Sequence, residues 1–309
     1  MGLLVDTYTG WAVTLSARVL VGRSPACAVV IEDPRASAEH ATISWSGERW
    51  EIRDLGSLNG TWLDGRRLTT GERLPLRRDS RLGFGEAGDA WMLVDDHPPG
   101  PAARNESTAE ITYSTSGLLA LPSTDDPRAT IFRRPDGTWV VEHGHDLRTV
   151  TDRDRFDLDG TRWCLLLPSD LGSLPETLKA EGSPRTLDEV SIWFSPSRDE
   201  EHVEVRLRTD AGSEQLLPAR SSHYLLLTLA RARLQDAQNR VAPEEQGWIY
   251  AAELASMLQY TGDRLNIEIF RARMQLAKLG FADSAQLIAR RISSRQLRIG
   301  VARLHVTRC

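Results

Sequence analysis

The sequence predicts a multidomain fold, with an all-β sandwich over residues 1–97, a small β region over 129–170 and an α+β domain over 186–309. Three observations lead there. The chain has 309 residues, enough for two or three domains of ordinary size. Its apolar residues recur in short strand-like runs before Ser221 and at helical steps of three and four after it. Stretches rich in Pro, Ser, Thr and Gly at 98–128 and 172–185 interrupt these patterns and read as linkers.

Within the first region, Ala12-Val-Thr-Leu, Val19-Leu-Val, Val29-Val-Ile, Ala41-Thr-Ile-Ser-Trp, Trp50-Glu-Ile, Thr61-Trp-Leu and Trp91-Met-Leu-Val are separated by Gly, Asn, Asp and Pro turns. Many short strands at such spacing indicate a sandwich or barrel. Thr130-Ile-Phe, Trp139-Val-Val, Phe156-Asp-Leu and Trp163-Cys-Leu-Leu-Leu form the small β region. Its Ala129-Thr-Ile…Trp139 echoes Ala41-Thr-Ile…Trp50, which reads either as a degenerate half repeat or as two generic amphipathic hairpins. In the last domain Val190-Ser-Ile-Trp-Phe and Val203-Glu-Val-Arg-Leu are strands, with a weaker one near Gln215. Helices are expected from Ser221 or Ser222, an N-cap type, over Ile249–Gln259 and over Leu265–Leu279, the last stopped by Gly280. A hairpin ending in Gln296-Leu-Arg-Ile-Gly-Val follows.

Composition narrows the function classes. Hydrophobic residues make up 40% and charged residues 26%, which is the balance of an ordinary folded protein. No apolar run approaches the ~18 residues that span a bilayer, and Met1-Gly-Leu-Leu-Val-Asp lacks the basic head of a signal peptide, so the expectation is a cytoplasmic protein without membrane contact. Cys27, Cys164 and Cys309 lie too far apart for a disulfide framework or a zinc cluster. The net charge is −5, yet residues 261–309 carry nine Arg and one Lys against Asp263, Glu268 and Asp283. That basic end is an electrostatic footprint for a polyanion.

Three loop motifs stand together in the first domain: Gly22-Arg23-Ser24, Ser37-Ala-Glu-His40 and Ser57-Leu-Asn59-Gly60-Thr. At this joint spacing the segment from about Val13 to Val94 resembles the forkhead-associated (FHA) domain. The resemblance implies a β-sandwich whose loops bind a phosphothreonine peptide, with Arg23, Ser37 and Asn59 as the contacting residues. It further implies that His40 braces the loops and that Gly22 and Gly60 permit their turns. The chemistry suits a phosphothreonine, whose near-dianionic group needs converging donors: a fixed guanidinium fork, a hydroxyl and an amide. Taken alone, Asn59-Gly60 is an ordinary hairpin turn. The motif departs from the family at Ala38, where a polar residue is common, and at Leu58, where a small polar one is, so the site offers fewer phosphate donors.

The element order of the last domain, strands then three helices then a hairpin, resembles the winged-helix effector domain of OmpR/PhoB-type regulators over about Leu187 to Val306. Arg264-Leu-Asn-Ile-Glu-Ile-Phe-Arg271-Ala-Arg273 is similar to that family's recognition helix. Leu265, Ile269, Ala272 and Leu276 share one helical face and should meet the core. Asn266, Arg271, Arg273 and Lys278 on the helix, with Arg291 and Arg295 on the hairpin, are the expected contacts to double-stranded DNA.

Two motifs are set aside. Gly83-Phe-Gly-Glu-Ala-Gly88 spells a dinucleotide fingerprint but is followed by a strand, not by the helix such a site needs. His143-Gly-His145-Asp146 reads as a polar turn, without further metal ligands at useful spacing. Neither a catalytic constellation nor a cofactor motif is found, so a non-enzyme without cofactor or metal is expected. The sequence reading is therefore a phosphorylation-responsive DNA-binding regulator served by an upstream Ser/Thr kinase. Its ligand would be a threonine-phosphorylated partner or the protein's own linker, through Thr108, Thr112, Thr115 or Thr124, with a homodimer as one outcome of docking. The alternative is a signalling scaffold whose last domain binds protein instead of DNA.

Overall fold

Strand alternation in the first 96 residues sorts side chains between a core and solvent, as in Trp50-Glu-Ile-Arg-Asp54, where Trp50 and Ile52 are fully buried and Arg53 is exposed. In the computed structural model, which describes residues 1–88, 90–114, 116–144, 146–168, 185–199, 202–209, 212–261 and 263–307, the described chain divides into two units. One holds the described residues of 1–114 and 151–180, the other those of 115–150 and 181–309.

The first unit contains the expected sandwich. One sheet has six strands, in the order Ala12–Leu15, Gly2–Asp6, Trp91–Asp96, Arg81–Phe84, Thr61–Leu63 and Arg66–Arg67. The other has five, in the order Val29–Val30, Arg18–Gly22, Ala41–Trp45, Trp50–Asp54 and Arg73–Leu76. Leu4, Leu15, Val19, Val21, Ile43, Trp50, Ile52, Leu82 and Leu93 form a continuous core. The strand–turn–strand reading of Gly83 to Gly88 holds, because Arg81–Phe84 pairs antiparallel with Trp91–Asp96.

A third sheet of this unit corrects the expected linker. Ala102–Asn105 pairs with Ile111–Tyr113 and with Thr161–Leu166, which pairs in turn with Arg155–Leu158. Ala102 and Leu166 are buried with Met1, so the polar look of 98–128 hid short strands that find their apolar partners about sixty residues away in sequence. The small β region at 129–170 is divided as well. Leu119–Pro122, Pro127–Arg133, Trp139–His143 and Asp146–Val150 make a four-stranded meander in the second unit, whereas the two strands after them belong to the first. Both echoed segments form antiparallel hairpins in the same register, Ala41 opposite Asp54 and Ala129 opposite His143, but Trp50 is buried and Trp139 half-buried. Thr112 sits in a strand, Thr108 and Thr124 in turns, and Thr115, His145, Cys309 and 169–184 lie outside the described residues.

In the second unit a four-stranded sheet runs Glu214–Leu216, Val203–Thr209, Val190–Pro196 and Arg303–Val306, the last pairing parallel. Helix α1 spans Ser222–Gln238, α2 Ala251–Met257 and α3 Arg264–Ala277. Ser221 does precede α1, but its hydroxyl donates to Glu268 at 2.8 Å and does not cap the helix. The expected helix at Ile249 starts two residues later, because Ile249–Tyr250 pairs with Gln296–Ile299, which also pairs with Ile288–Arg291. Among the described residues, no helix is long and apolar enough to cross a membrane.

Candidate functional site

Three loops at one end of the sandwich carry the motif residues. The strand Arg18–Gly22 delivers Arg23 to the first. A Cβ at Gly22 would stand 3.0 Å from the His40 nitrogen and closer still to the Ala38 backbone, so only glycine fits. Beyond it the Arg23 amide donates to Ser37 O (2.9 Å) and the Ser24 amide to Ala38 O (3.0 Å), zipping the first loop to the second. The exposed Arg23 guanidinium is steadied through Nε–H to Ala36 O at 3.3 Å.

His40 ties the second loop to the third. Its Nδ1 accepts from the Ser37 amide at 3.0 Å, which places the proton on Nε2, where it donates to Gly60 O at 3.1 Å. The ring is fully buried and meets Phe84 edge-on. Ser37 Oγ accepts from the Leu58 amide (3.1 Å), leaving the hydroxyl hydrogen for a ligand. Asn59 Nδ2 donates to Arg35 O (2.8 Å), leaving its Oδ1 and second N–H outward. Gly60 has φ +94°, which suits glycine.

Asp54, a residue the motif reading did not assign to this site, is the anchor beneath the third loop. Its Oδ1 accepts from the Gly56 and Ser57 amides and its Oδ2 from the hydroxyls of Ser57 and Thr61, both at 2.6 Å. Burial pushes this carboxyl up, but the hydrogen bonds outweigh it and hold it below the ordinary carboxylate value. The Asp54-Leu-Gly-Ser57 spacing, with an acceptor three residues before a hydroxyl, was the available signal for this turn.

Burial also lowers the His40 pKa below its usual value, against the opposing bond to Gly60. Between that lowered value and the ordinary ~6.5 of an unfolded chain, the unfolded state binds a proton that the folded state refuses. The His40 contribution to stability is thus complete above about pH 6.5 and falls as pH drops toward the folded value. The buried Met1 amine, whose pKa burial also lowers, adds a loss of the same sign from about pH 8 downward. Thermal melts at pH 8 and 5.5 are expected to show the combined loss, and His40→Gln is expected to reduce it.

The residues expected to touch DNA fare differently. Arg273 is a correction: it is 2% exposed and ion-paired with the buried Glu142 at 3.0 Å. The reason is a second apolar stripe on α3, Phe270, Met274 and Ala277, which packs on Leu118, Ala120, Phe132 and Val140 of the meander and draws Arg273 inward with it. Glu142 also binds Arg290 (2.9 Å), whose Nη2 donates to Asn266 Oδ1 at 3.2 Å, so Asn266 is occupied too. Arg291 forks onto Glu245 at 2.9 and 3.1 Å and stacks on Trp248. Arg271, half-exposed and bonded to Glu268, remains at the surface with Lys278 and Arg295. The core face of α3 is as expected, with Leu265, Ile269, Ala272 and Leu276 buried.

Comparison with known proteins locates the similarity at the sandwich. The FHA domain family model matches residues 19–85, which include all three loops. FHA domain-containing protein FhaB of Mycobacterium tuberculosis is 43% identical over 76 residues, 24% of this chain and 49% of that protein. FhaB of Mycolicibacterium smegmatis is 40% identical over 75 residues, covering 24% and 48%. The chain thus spans about half the length of these curated relatives. Among solved structures, Mycobacterium tuberculosis EmbR, in complex with a low-affinity phosphopeptide, matches at 24% identity and TM-score 0.27, over 30% of this chain and 23% of that one. The N-terminal sandwich of this protein contains an FHA domain.

Proposed function

We propose that the protein is a non-enzymatic signalling component that binds threonine-phosphorylated partners through the loops at Arg23, Ser37 and Asn59, downstream of a Ser/Thr kinase. One observation carries the reading: a guanidinium, a free hydroxyl hydrogen and an outward amide are gathered from three loops that His40 and Asp54 lock together. Locked donors favour binding because little ordering entropy remains to be lost. Neither Ala38 nor Leu58 interrupts this bracing, since both act through backbone groups: Ala38 O accepts from Ser24 and the Leu58 amide donates to Ser37. Within the protein's own segment 98–128, Thr112 is held in a sheet and suits the role poorly, whereas Thr108 and Thr124 are exposed outside the strands. The test is titration of the full chain with one peptide in phosphothreonine, phosphoserine and unmodified forms. Selective binding of the first is expected, and equal affinity for all three overturns the proposal.

A second reading, a DNA-binding regulator, concerns the other unit. It is supported by the order of its strands, helices and terminal hairpin, and by Arg264, Arg271, Lys278 and Arg295, which are exposed. With Arg273 removed from the set and Asn266 occupied, this set suits phosphate contacts better than base reading. If the reading is right, affinity for random duplex should fall with salt at a log–log slope of up to roughly −3.6, about −0.9 for each of four phosphate contacts. No binding at low salt would favour the scaffold, with this unit docking protein.

A further inference from the structure

The two sides of the Asn59 loop differ in charge. On one side Arg35 is charge-paired: its Nε and Nη2 bind Asp33, the latter at 2.6 Å, and its Nη1 binds Glu86. Carboxylates therefore outnumber guanidiniums at that corner. On the other side an open cleft of about 350 Å³ is lined by Ser57, Gly60, Arg67, Leu68, Thr69 and Thr70, over the buried Asp54.

Arg67 makes this cleft cationic. It lies against Gly60, whose Cβ position would be 2.9 Å from the Arg67 Cζ, and its guanidinium lies 6.0 Å over the Trp62 ring. Among the described residues no carboxylate pairs with it. The two carboxylates nearby are already engaged. Asp54 accepts four hydrogen bonds, and Glu72 binds Arg66 (2.6 Å) and both the amide and hydroxyl of Thr69 (2.9 and 2.7 Å). What is left facing the cleft is a planar fork of donors with the exposed Thr70 hydroxyl beside it, a match for a carboxylate.

We infer that this cleft is a second, anionic subsite, in which Arg67 takes an aspartate or glutamate side chain of the same peptide that presents its phosphothreonine to Arg23, Ser37 and Asn59. The inference rests on the phosphopeptide reading and adds a charge polarity: an acidic residue on the flank over Arg67, and none on the flank over Arg35. A phosphothreonine peptide carrying Asp, Ala or Lys in turn at each of the four positions on either side would be titrated against the full chain, R67Q and R66Q. One aspartate position is expected to bind about three- to tenfold tighter than its alanine counterpart, the range of a well-placed guanidinium–carboxylate pair. R67Q is expected to bring the aspartate peptide to the alanine peptide's affinity, while R66Q, whose arginine already serves Glu72, keeps the preference. An unchanged preference in R67Q, or none at any position with phosphothreonine dependence retained, overturns the subsite alone. Loss of phosphothreonine dependence in the unaltered chain overturns the function proposal and the subsite with it.

Discussion

Replacing Glu142 with alanine is expected to destabilise the second unit by roughly 3–5 kcal/mol, the cost of removing one partner from a buried ion pair. Glu142, Arg273 and Arg290 have side chains only 8%, 2% and 4% exposed. Burial pushes the Glu142 carboxyl up, yet the two guanidiniums outweigh it and hold it ionised below its ordinary value. Without it two like charges remain buried near each other, and neither can neutralise itself, because arginine does not lose its proton in proteins. Arg273 Nη2 would keep only its bond to Ile288 O (2.6 Å). By contrast, Asp157→Ala, which breaks a pair with side chains 60% and 64% exposed, is expected to cost under about 1 kcal/mol. Segment-resolved amide exchange in denaturant would measure both. A cost for Glu142→Ala no greater than for Asp157→Ala would show that the charge cluster does not hold the meander on α3.

The second large effect is expected in binding. Arg23→Ala and Ser37→Ala should each weaken phosphothreonine-peptide affinity by about 10- to 100-fold, since each removes a hydrogen bond to a charged group, worth about 1.5–3 kcal/mol. The Arg23 side chain touches only Ala36 O, so Arg23→Ala should barely change the melting temperature. Ser37 Oγ also accepts the Leu58 amide, so Ser37→Ala is expected to loosen the third loop slightly as well as weaken binding. Asn59→Ala loses the tie to Arg35 O as well, and is expected to lower affinity and loop order together. Retained affinity in Arg23→Ala would remove the guanidinium from the proposed site.

The binding loops were legible because their signals are local. Glycine where no Cβ fits, a histidine three residues after a serine and Asn-Gly at a turn leave their mark within a few positions of the sequence. Asp54 was harder to see, since its role depends on four donors gathered after folding. Nothing in the sequence tells Arg35 from Arg67, and only their folded neighbours separate a guanidinium paired with two carboxylates from one that, among the described residues, has no carboxylate partner.

The strand-to-helix order of the chain and the core face of α3 were determined by the sequence itself, through periodicities of two and 3.6 residues that report which side chains must leave water. The tertiary structure alone decided the fate of Arg273 and of residues 98–128. A second apolar stripe on α3 and short strands with distant partners acquire meaning only when segments far apart in the chain meet. Burial of Arg273 is settled by Glu142, 131 residues away, because a charge leaves water only where an opposite charge waits for it.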